Sequence, residues 1–428
     1  MKFLTVTQGC KVNHCDSEVI SQCMMSKGFE AAAEGDAPDV IIVNSCTVTE
    51  NSDKKGARII SKLRRDNPEA VIVLTGCYPQ AFPEEAEKNG NADIVVGNAA
   101  KESIPELVEE FLRSGKAEFV CRSHGRVFDE PDEFSHAENT RAYIKIEDGC
   151  DRFCSYCIIP KARGRVRSKG IERIAAEAGF HAEDGHREIV LTGINLSCYG
   201  VDIGLSLYDA VRAVAEQPLI ERVRLSSLEP ELLTGEVIDR LAGVDKLCPH
   251  FHLSLQSGCS STLKRMNRHY SAEEYREIVE RLRKTFPECG ITTDVMVGFA
   301  GETDEEFQQS AEFVKGIGFA KVHVFTYSVR PGTRAAEMEG QVPAEIKEQR
   351  YRVMSEIAEI ARREFWSRNA GTVHKVLIER QTSPEFINGY TENYIPVRIF
   401  GGKAKRHDII EVEITGAQKE FCVGRETT

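Results

Sequence analysis

Residues 148–160 have the sequence DGCDRFCSYCIIP, in which Cys150, Cys154 and Cys157 follow the spacing C-x3-C-x2-C. Three closely spaced thiolates bind three irons of a [4Fe–4S] cube and leave the fourth iron without a protein ligand. An open iron can bind a small molecule, and S-adenosylmethionine is the molecule we expect. The stretch therefore predicts an iron–sulfur cluster that makes a radical from S-adenosylmethionine, with these three cysteines as catalytic ligands.

Two other interpretations of this triplet are weaker. Structural zinc sites have four ligands, commonly in two pairs, and no His or Cys follows nearby at C-x2-C or H-x3-H spacing. A buried-thiol segment is a poor match, because Asp148, Asp151 and Arg152 lie beside the cysteines and charged residues are rarely buried. The open cluster is the preferred interpretation.

Length and composition indicate a globular protein of two or three domains. The chain has 428 residues, of which 41% are hydrophobic and 29% charged. The first nine residues contain no long apolar region and no run of 18 apolar residues occurs, so we expect a cytoplasmic location. Fourteen cysteines in a reduced compartment point to metal binding or catalysis more than to disulfides. The net charge of −12 excludes a global basic field, so any RNA contact relies on local patches.

The first 100 residues alternate between apolar runs and helical patterns, which predicts a parallel α/β sheet. The predicted strands are residues 3–7, 40–43, 71–74 and 94–96. The predicted helices are residues 17–27, 52–65 and 83–89.

Three of these strands end in a cysteine within a turn of small residues, namely Cys10, Cys46 and Cys77. The carboxyl edge of a parallel sheet is where ligands bind, so these thiols are candidate ligands of a second open cluster. Buried cysteines that only fill space at strand ends remain the alternative.

Four segments follow from the pattern: an N-terminal domain (1–100), a linker (101–139), a central domain (140–370) and a C-terminal domain (371–428). The central domain repeats strand and helix six times, which predicts a partial (β/α)6 barrel with its site at the C-terminal strand ends. Its predicted strands are residues 143–146, 189–191, 222–225, 252–255, 292–297 and 321–325.

Small or polar residues at the ends of the predicted barrel strands, and Asp294 within the fifth, are candidate contacts for S-adenosylmethionine. Gly193 allows close approach of the backbone, while carboxylates and hydroxyls suit ribose or an ammonium group. The candidates are Thr192, Gly193, Ser227, Glu229, Gln256 and Asp294.

The C-terminal segment has short Val- and Ile-rich runs with Gly turns, at residues 373–378, 394–399, 409–414 and 420–423. This pattern predicts a small antiparallel β-barrel, OB-like in kind. Basic residues beside aromatic ones suit single-stranded RNA. The candidate RNA contacts here are Arg398, Lys403, Lys405 and Arg406, and a second basic stretch near the cysteine loop adds Arg163, Arg165 and Arg167.

The chain resembles the radical S-adenosylmethionine methylthiotransferase family along its whole length. The motifs that carry the resemblance are the cysteine loop, Arg163-Gly164 and Arg167-Ser168. The resemblance implies that Cys10, Cys46 and Cys77 carry an auxiliary [4Fe–4S] cluster, giving two clusters. It also implies that the C-terminal barrel is a TRAM RNA-binding domain.

Three branches of that family compete. Three stretches, namely residues 9–13, 140–142 and 148–151, are most similar to the branch that modifies N6-threonylcarbamoyladenosine at tRNA position 37. The alternatives act on N6-isopentenyladenosine in tRNA or on an aspartate of a ribosomal protein. A non-catalytic iron–sulfur module that binds RNA is a further alternative.

The resemblance implies that a 5′-deoxyadenosyl radical removes hydrogen from C2 of the adenine. A methylated sulfur held by the auxiliary cluster is then transferred to that carbon. It further implies a tRNA anticodon loop as partner, an electron donor such as flavodoxin or ferredoxin, and a monomeric enzyme.

Overall fold

The computed structural model describes residues 1–33, 35–88, 90–128, 134–137, 139–381 and 383–427. The chain forms two compact units. The first comprises Met1–His136, Glu147–Lys169 and Ser328–Ala336, and the second comprises Ala137–Ile146, Gly170–Tyr327 and Glu337–Thr428. The predicted end of the third helix, residue 89, and residues 129–133 and 138 of the predicted linker lie outside the described residues.

The first unit contains a parallel sheet whose strands are all parallel neighbours in the order β2-β1-β3-β4-β5-β6. Its strands are β1 (Lys2–Thr7), β2 (Glu30–Ala31), β3 (Val40–Ser45), β4 (Val71–Gly76), β5 (Ile94–Val96) and β6 (Glu118–Val120). Its helices are α1 (Lys11–Ser26), α2 (Glu50–Asp66), α3 (Cys77–Ala81), α4 (Pro83–Glu87) and α5 (Ile104–Ser114).

The central strands are buried on both faces because they are apolar at every position that faces a helix. Val40 and Ile42 pack with α1 and α5 on one face, while Ile41 and Val43 pack with α2 on the other. Continuous apolar runs of this kind are typical of parallel sheets covered on both sides. The sheet extends to Val120, so part of the segment predicted as a linker belongs to this fold.

Between residues 140 and 170 the chain contributes to both units in turn. Strand β7 (Ala142–Lys145) belongs to the second unit, while β8 (Glu147–Asp148), α6 (Ile159–Arg163) and β9 (Arg167–Ser168) belong to the first. Strands β8 and β9 pair antiparallel, so they close the base of the cysteine loop between them.

The second unit contains the predicted parallel β/α repeat, which confirms that part of the fold. Its strands pair in the orders β11-β10-β7 and β12-β13-β14-β15. They are β10 (Glu188–Thr192), β11 (Arg222–Leu225), β12 (Ser227–Leu228), β13 (His250–Leu253), β14 (Gly290–Val297) and β15 (Lys321–Thr326). Strands β11 and β12 are separated only by Ser226, so they form one barrel position with an interruption.

Helices alternate with these strands and cover their outer side. They are α7 (Ile171–Glu183), α8 (Leu207–Ala215), α9 (Gly235–Ala242), α10 (Ser260–Arg265), α11 (Ala272–Thr285), α12 (Asp304–Ile317) and α13 (Ala344–Arg368). Short 3-10 turns occur at Asn98–Ser103, Leu196–Cys198, Pro230–Leu232 and Arg334–Glu337. Among the described residues, no helix is long and apolar enough to cross a membrane.

A small closed β-barrel ends the chain, as predicted, with the strand order β16-β17-β18-β20-β19. Its strands are β16 (Val373–Ile378), β17 (Phe386–Thr391), β18 (Pro396–Phe400), β19 (Ile409–Ala417) and β20 (Cys422–Glu426). The pairing is antiparallel except between β18 and β20, which are parallel. Strand β17 is missing from the sequence-based prediction.

A buried ion network joins this small barrel to the β/α repeat within the second unit. Glu188 on β10 lies 3.0 Å from Nε of Arg141 and 3.3 Å from Nη1 of Arg222. Nη2 of Arg222 donates to the carbonyl of Lys375 at 2.5 Å, and Nη1 of Arg224 donates to that of Glu392 at 2.9 Å. The arginines therefore satisfy backbone carbonyls of the small barrel while they neutralise Glu188.

Candidate functional site

The cysteine loop runs from Gly149 to Ile158, between β8 and α6. The amide of Cys150 donates to the carbonyl of Gly164 at 3.0 Å, and that of Cys157 donates to the carbonyl of Cys154 at 3.0 Å. All three cysteines are half-buried, so their thiols are accessible to a bound group while the backbone turns around it.

Gly149 is required for the shape of this loop. Its φ of +91° is in the left-handed region, and a Cβ there would lie 2.0 Å from the carbonyl oxygen of Arg165. Only glycine avoids both the strain and the overlap. The strand that leads into the loop can therefore lie directly against the segment that leaves it.

The donor set of this loop fits a [4Fe–4S] cluster. Among the residues that the structure describes, no three His, Cys, Asp or Glu side chains converge on a site for a single metal ion. Thiolates that hold a cube each bind a different iron, so they do not need to meet at one point. Three accessible thiols on one turn satisfy that requirement.

The second triplet lies at one edge of the N-terminal sheet. Strands β1, β3 and β4 are direct neighbours, with Thr7 opposite Asn44 and Ser45 opposite Gly76. Cys46 and Cys77 follow β3 and β4 by one residue, and Cys10 precedes α1 after β1. A Cβ added to Gly9 would lie 2.8 Å from Cβ of Cys46, so the backbone before Cys10 lies directly on Cys46.

The three thiols of this edge differ in exposure. Cys10 is exposed, whereas Cys46 and Cys77 are buried. Burial raises the pKa of the Cys46 thiol, and burial raises that of Cys77 to about 12, despite the nearby Arg163. A cluster that binds Cys77 must therefore displace its proton, as metal binding to thiols does.

Arg163, at the end of α6, lies at the centre of a polar cluster that sequence reasoning missed. Its side chain has no exposed surface. Nη1 donates to Asp16 Oδ2 at 2.6 Å and to Asp148 Oδ2 at 3.2 Å, and Nε donates to Cys77 Sγ at 3.3 Å. Nη2 donates to Oδ1 of Asn13. Burial alone would lower the pKa of Arg163, but the charges of Asp16, Cys77 and Asp148 raise it.

Apolar contacts reinforce this arrangement. Cys77 and Phe82 pack with Ile158 and Ala162, which follow the loop cysteines. The segment Ser328–Ala336 adds Arg330, whose Nη2 donates to Thr47 Oγ1 at 2.7 Å, directly after Cys46. The two cysteine triplets are thus held in one compact unit by both packing and hydrogen bonds.

The predicted S-adenosylmethionine contacts lie on or shortly after strands of the second unit, and Asp294 lies within β14. Thr192 ends β10 and is buried, and its carbonyl accepts a 2.9 Å hydrogen bond from Ile146. Gly193 follows it, and Ser227 on β12 is half-buried. Glu229 is buried and forms an ion pair with Arg268, so its charge is already neutralised within the protein.

Gln256 and Asp294 are linked through the backbone. The amide of Gln256 donates to the carbonyl of Asp294 at 2.8 Å, and Gln256 has a φ of +67°. In the described part of the chain, Oε1 of Gln256 is buried and has no hydrogen-bond partner. Oδ2 of Asp294 lies 3.3 Å from Nε2 of His252. Burial would raise the pKa of Asp294, but His252 and His323 lower it.

The predicted RNA contacts near the loop need a correction. Arg163 and Arg167 are buried, and Nη1 of Arg167 donates to the carbonyls of Arg163 and Arg165. Their side chains stabilise the protein interior, so the prediction of RNA contact is wrong for these two. Arg165 is exposed, 3.0 Å from Asp151 and above the ring of Phe153.

The four basic residues of the small barrel are more accessible. Lys403 and Lys405 are exposed. Arg398 is half-buried, with its guanidinium 4.0 Å from the ring centroid of Phe386 and 3.9 Å from that of Phe421. Nε of Arg406 donates to Thr140 Oγ1 at 3.1 Å.

Two regions of the chain match known protein families. Residues 144–314 match the Radical SAM superfamily, and residues 2–97 match the uncharacterized protein family UPF0004. The chain is similar in fold to the radical S-adenosylmethionine methyltransferase TsrM from Kitasatospora setae, with a TM-score of 0.58 and 14% identity over 78% of this chain and 77% of that one.

Three curated relatives match almost the whole length. Two are named threonylcarbamoyladenosine tRNA methylthiotransferase MtaB. The one from Aquifex aeolicus is 37% identical over 94% of this chain and 98% of its own, and the one from Thermotoga maritima is 39% identical over 95% and 93%. The tRNA-2-methylthio-N(6)-dimethylallyladenosine synthase of Pelotomaculum thermopropionicum is 31% identical over 99% and 97%. This confirms the resemblance, and the chain belongs to the family of radical S-adenosylmethionine tRNA methylthiotransferases.

Proposed function

We propose that this enzyme adds a methylthio group to C2 of N6-threonylcarbamoyladenosine at position 37 of tRNA, next to the anticodon. The observation that carries the proposal is similarity along the whole chain to enzymes named for that nucleoside. The enzyme named for dimethylallyladenosine is less similar. The residues around Cys10 and Cys150 support the same branch.

Family membership implies one [4Fe–4S] cluster, S-adenosylmethionine and a tRNA substrate. Cys150, Cys154 and Cys157 would hold that cluster, because they are the accessible thiols of a loop closed at its base. When bound, the cluster and S-adenosylmethionine supply an electron and a 5′-deoxyadenosyl radical. The role of the protein is to keep the three thiols in place. Gly149 allows the cysteine loop to close tightly at its base, which this role needs.

A second [4Fe–4S] cluster at Cys10, Cys46 and Cys77 is part of the proposal. Its support is the position of the three cysteines after neighbouring parallel strands, at the edge where such sheets bind ligands. Sulfur held there would be the group transferred. The first and second triplets belong to one compact unit, which supports a function that needs both.

Residues on or shortly after the strands of the second unit would bind S-adenosylmethionine. The support is strongest for Gln256, because a buried amide oxygen without a partner in the described chain costs free energy unless a ligand donates to it. Glu229 is paired with Arg268, so a ligand group would bind to this pair rather than to an isolated carboxylate. The remaining residues of this proposed site are Thr192, Gly193, Ser227 and Asp294.

The small barrel at residues 371–428 would bind the tRNA. Exposed Lys403 and Lys405 suit phosphates, and the guanidinium of Arg398 lies beside two aromatic rings. Arg406 and the exposed Arg165 would add positive charge. Single-stranded loops are recognised by such combinations of cations and stacking surfaces.

The test is methylthiolation of two tRNAs by the reconstituted enzyme. One tRNA carries N6-threonylcarbamoyladenosine and the other N6-isopentenyladenosine, each without the 2-methylthio group. After incubation with S-adenosylmethionine and dithionite, nucleosides are measured by mass spectrometry. We expect the 2-methylthio product from the first tRNA alone and none from the Cys154→Ala variant.

Other outcomes are equally informative. Product from the isopentenyladenosine tRNA alone would move the enzyme to that branch. No modified nucleoside, but methylthiolated aspartate in an added ribosomal protein fraction, would make the substrate a protein. Absence of 5′-deoxyadenosine from all reactions would favour a non-catalytic module.

A further inference from the structure

The guanidinium of Arg163 contacts segments that carry both cysteine triplets. Asp148 lies two residues before Cys150, and Asn13 and Asp16 lie on the helix that begins after Cys10. Cys77 itself accepts from Nε of Arg163 at 3.3 Å. One buried side chain therefore contacts a candidate ligand of the second triplet and the base of the first loop.

The three nitrogens of the guanidinium have different partners, so its orientation is fixed. Asp16 accepts from Nη1 on one side, and Lys101 lies 3.4 Å from the other oxygen of Asp16. With Nη1 held by Asp16 and Asp148, and Nη2 held by Asn13, Nε is directed at the sulfur of Cys77. A planar fork of this kind is what distinguishes Arg from Lys.

We propose that Arg163 is a positioning residue of the second cluster, whose N–H donation to the sulfur of Cys77 raises the reduction potential of that cluster. The inference rests on the proposed function, in which Cys77 is a ligand. It adds a role for a residue that does not bind iron itself.

The physical reason is the charge on the sulfur. A hydrogen bond from a cation withdraws electron density from a ligand thiolate, and hydrogen bonds to the sulfurs are among the factors that set cluster potentials. The guanidinium has no exposed surface, so water does not screen it. Asp16 and Asp148 offset part of its charge, but the directed N–H remains on Cys77.

The experiment isolates the second cluster. In the full-length chain, Cys150, Cys154 and Cys157 are all changed to Ala, and the protein is reconstituted with iron and sulfide. Arg163, Arg163→Lys and Arg163→Gln are compared in this background by iron content and by a redox titration followed by electron paramagnetic resonance. We expect about four irons per chain in each.

The midpoint potential is expected to fall for both variants. For Arg163→Gln we expect a downward shift of about 59 mV, which is a tenfold change in the equilibrium of a one-electron couple. Arg163→Lys keeps the charge but cannot contact Asp16, Asn13 and Cys77 together, so we expect a smaller shift. If Arg163 only links these segments structurally, the midpoint potential of the second cluster should be the same in all three proteins.

A paired variant protects the test against misfolding. Arg163→Gln removes one of the two cations beside the buried Asp16, because Lys101 stays 3.4 Å from its other oxygen, whereas Asp16→Asn with Arg163→Gln leaves the net charge of this polar cluster unchanged. The double variant should regain part of the thermal stability of the apoprotein, since Lys101 then loses its partner Asp16, but it should keep the lowered potential. Clusters that load fully and titrate at the potential of the Arg163 background would overturn the role of Arg163. A background with Arg163 intact that binds no iron would overturn the second cluster, and the role of Arg163 with it.

Discussion

The carboxylate of Glu188 accepts a 2.6 Å hydrogen bond from Nε of Arg224, and both side chains are buried. Arg141 and Arg222 complete the set of cations around Glu188, and Arg224 also lies over the ring of Tyr394 on the small barrel. Glu188 therefore contacts three arginines at the junction of the small barrel with the β/α repeat, where Glu379 and Glu392 also pair with Arg141 and Arg222.

Glu188→Gln should destabilise the second unit strongly. Removal of one partner from a buried ion network leaves uncompensated charge and costs about 3–5 kcal/mol. We expect a large fall in the free energy of unfolding at pH 7, measured with denaturant. The matched control is Glu216→Gln, since Glu216 pairs with Arg212 but both are mostly exposed, and such pairs contribute about 1 kcal/mol at most.

The effect of Glu188→Gln should also depend on pH. Burial would raise the pKa of Glu188, but Arg224, Arg141 and Arg222 lower it below its ordinary value of 4.5. A carboxyl with a lowered folded pKa stabilises the protein above its unfolded pKa and loses that contribution as pH falls through the folded value. The difference between wild type and variant should be complete at pH 7 and shrink only below about pH 4.5. A difference that is constant down to pH 3 would contradict this role.

Gly149→Ala should prevent the cysteine loop from holding iron. The added Cβ would overlap the carbonyl of Arg165, so the loop must open at its base. We expect about four irons fewer per chain after reconstitution and no 5′-deoxyadenosine. Gly185→Ala is the control, because Gly185 also has a positive φ but nothing lies within 4 Å of its Cβ position. Full iron content in Gly149→Ala would show that the closure is not needed.

The sequence predicts the sheets well where burial alone decides the structure. Residues 40–43 and 71–74 are apolar at every position because both faces of β3 and β4 are covered. Strand β17 escapes the same reasoning because Asn388 and Gly389 interrupt its pattern. The glycine is needed there, since a Cβ would lie 2.4 Å from Cγ1 of Val376.

Arg163 shows why the candidate site is harder to predict. Its neighbours in sequence are basic, which is typical of an exposed surface that binds phosphate. Its partners Asp16 and Asn13 are 147 and 150 residues away in sequence, so no local pattern reveals the burial. The cysteines are easier to predict, because a thiol is a metal ligand by its residue type. The position of Cys10, Cys46 and Cys77 at one edge of the sheet follows from the order of the strands.

Lys403→Ala with Lys405→Ala should weaken tRNA binding most at low salt and least at high salt. Both side chains are exposed on the small barrel, and each phosphate contact to a single strand contributes about 0.7 to the slope of log K against log salt. We expect the slope to decrease by about 1.4 in fluorescence anisotropy titrations. Lys55→Ala with Lys62→Ala, two exposed positions of α2, removes the same charge elsewhere. Equal losses in the two double variants would mean that general charge, and not the small barrel, binds the tRNA.

Cys154→Ala and Cys46→Ala should separate the two halves of the reaction. Cys154 lies in the loop proposed to hold the radical-generating cluster, so its loss should abolish 5′-deoxyadenosine as well as the 2-methylthio nucleoside. Cys46 follows β3 at the other triplet, so its loss should leave S-adenosylmethionine cleavage and block sulfur insertion. Both products are measured by mass spectrometry in the same reaction. Cys23→Ala, at a half-buried position in the last turn of α1, controls for the loss of a thiol outside either triplet and should keep both products. Normal methylthiolation by Cys46→Ala would mean that the sheet edge does not hold the sulfur.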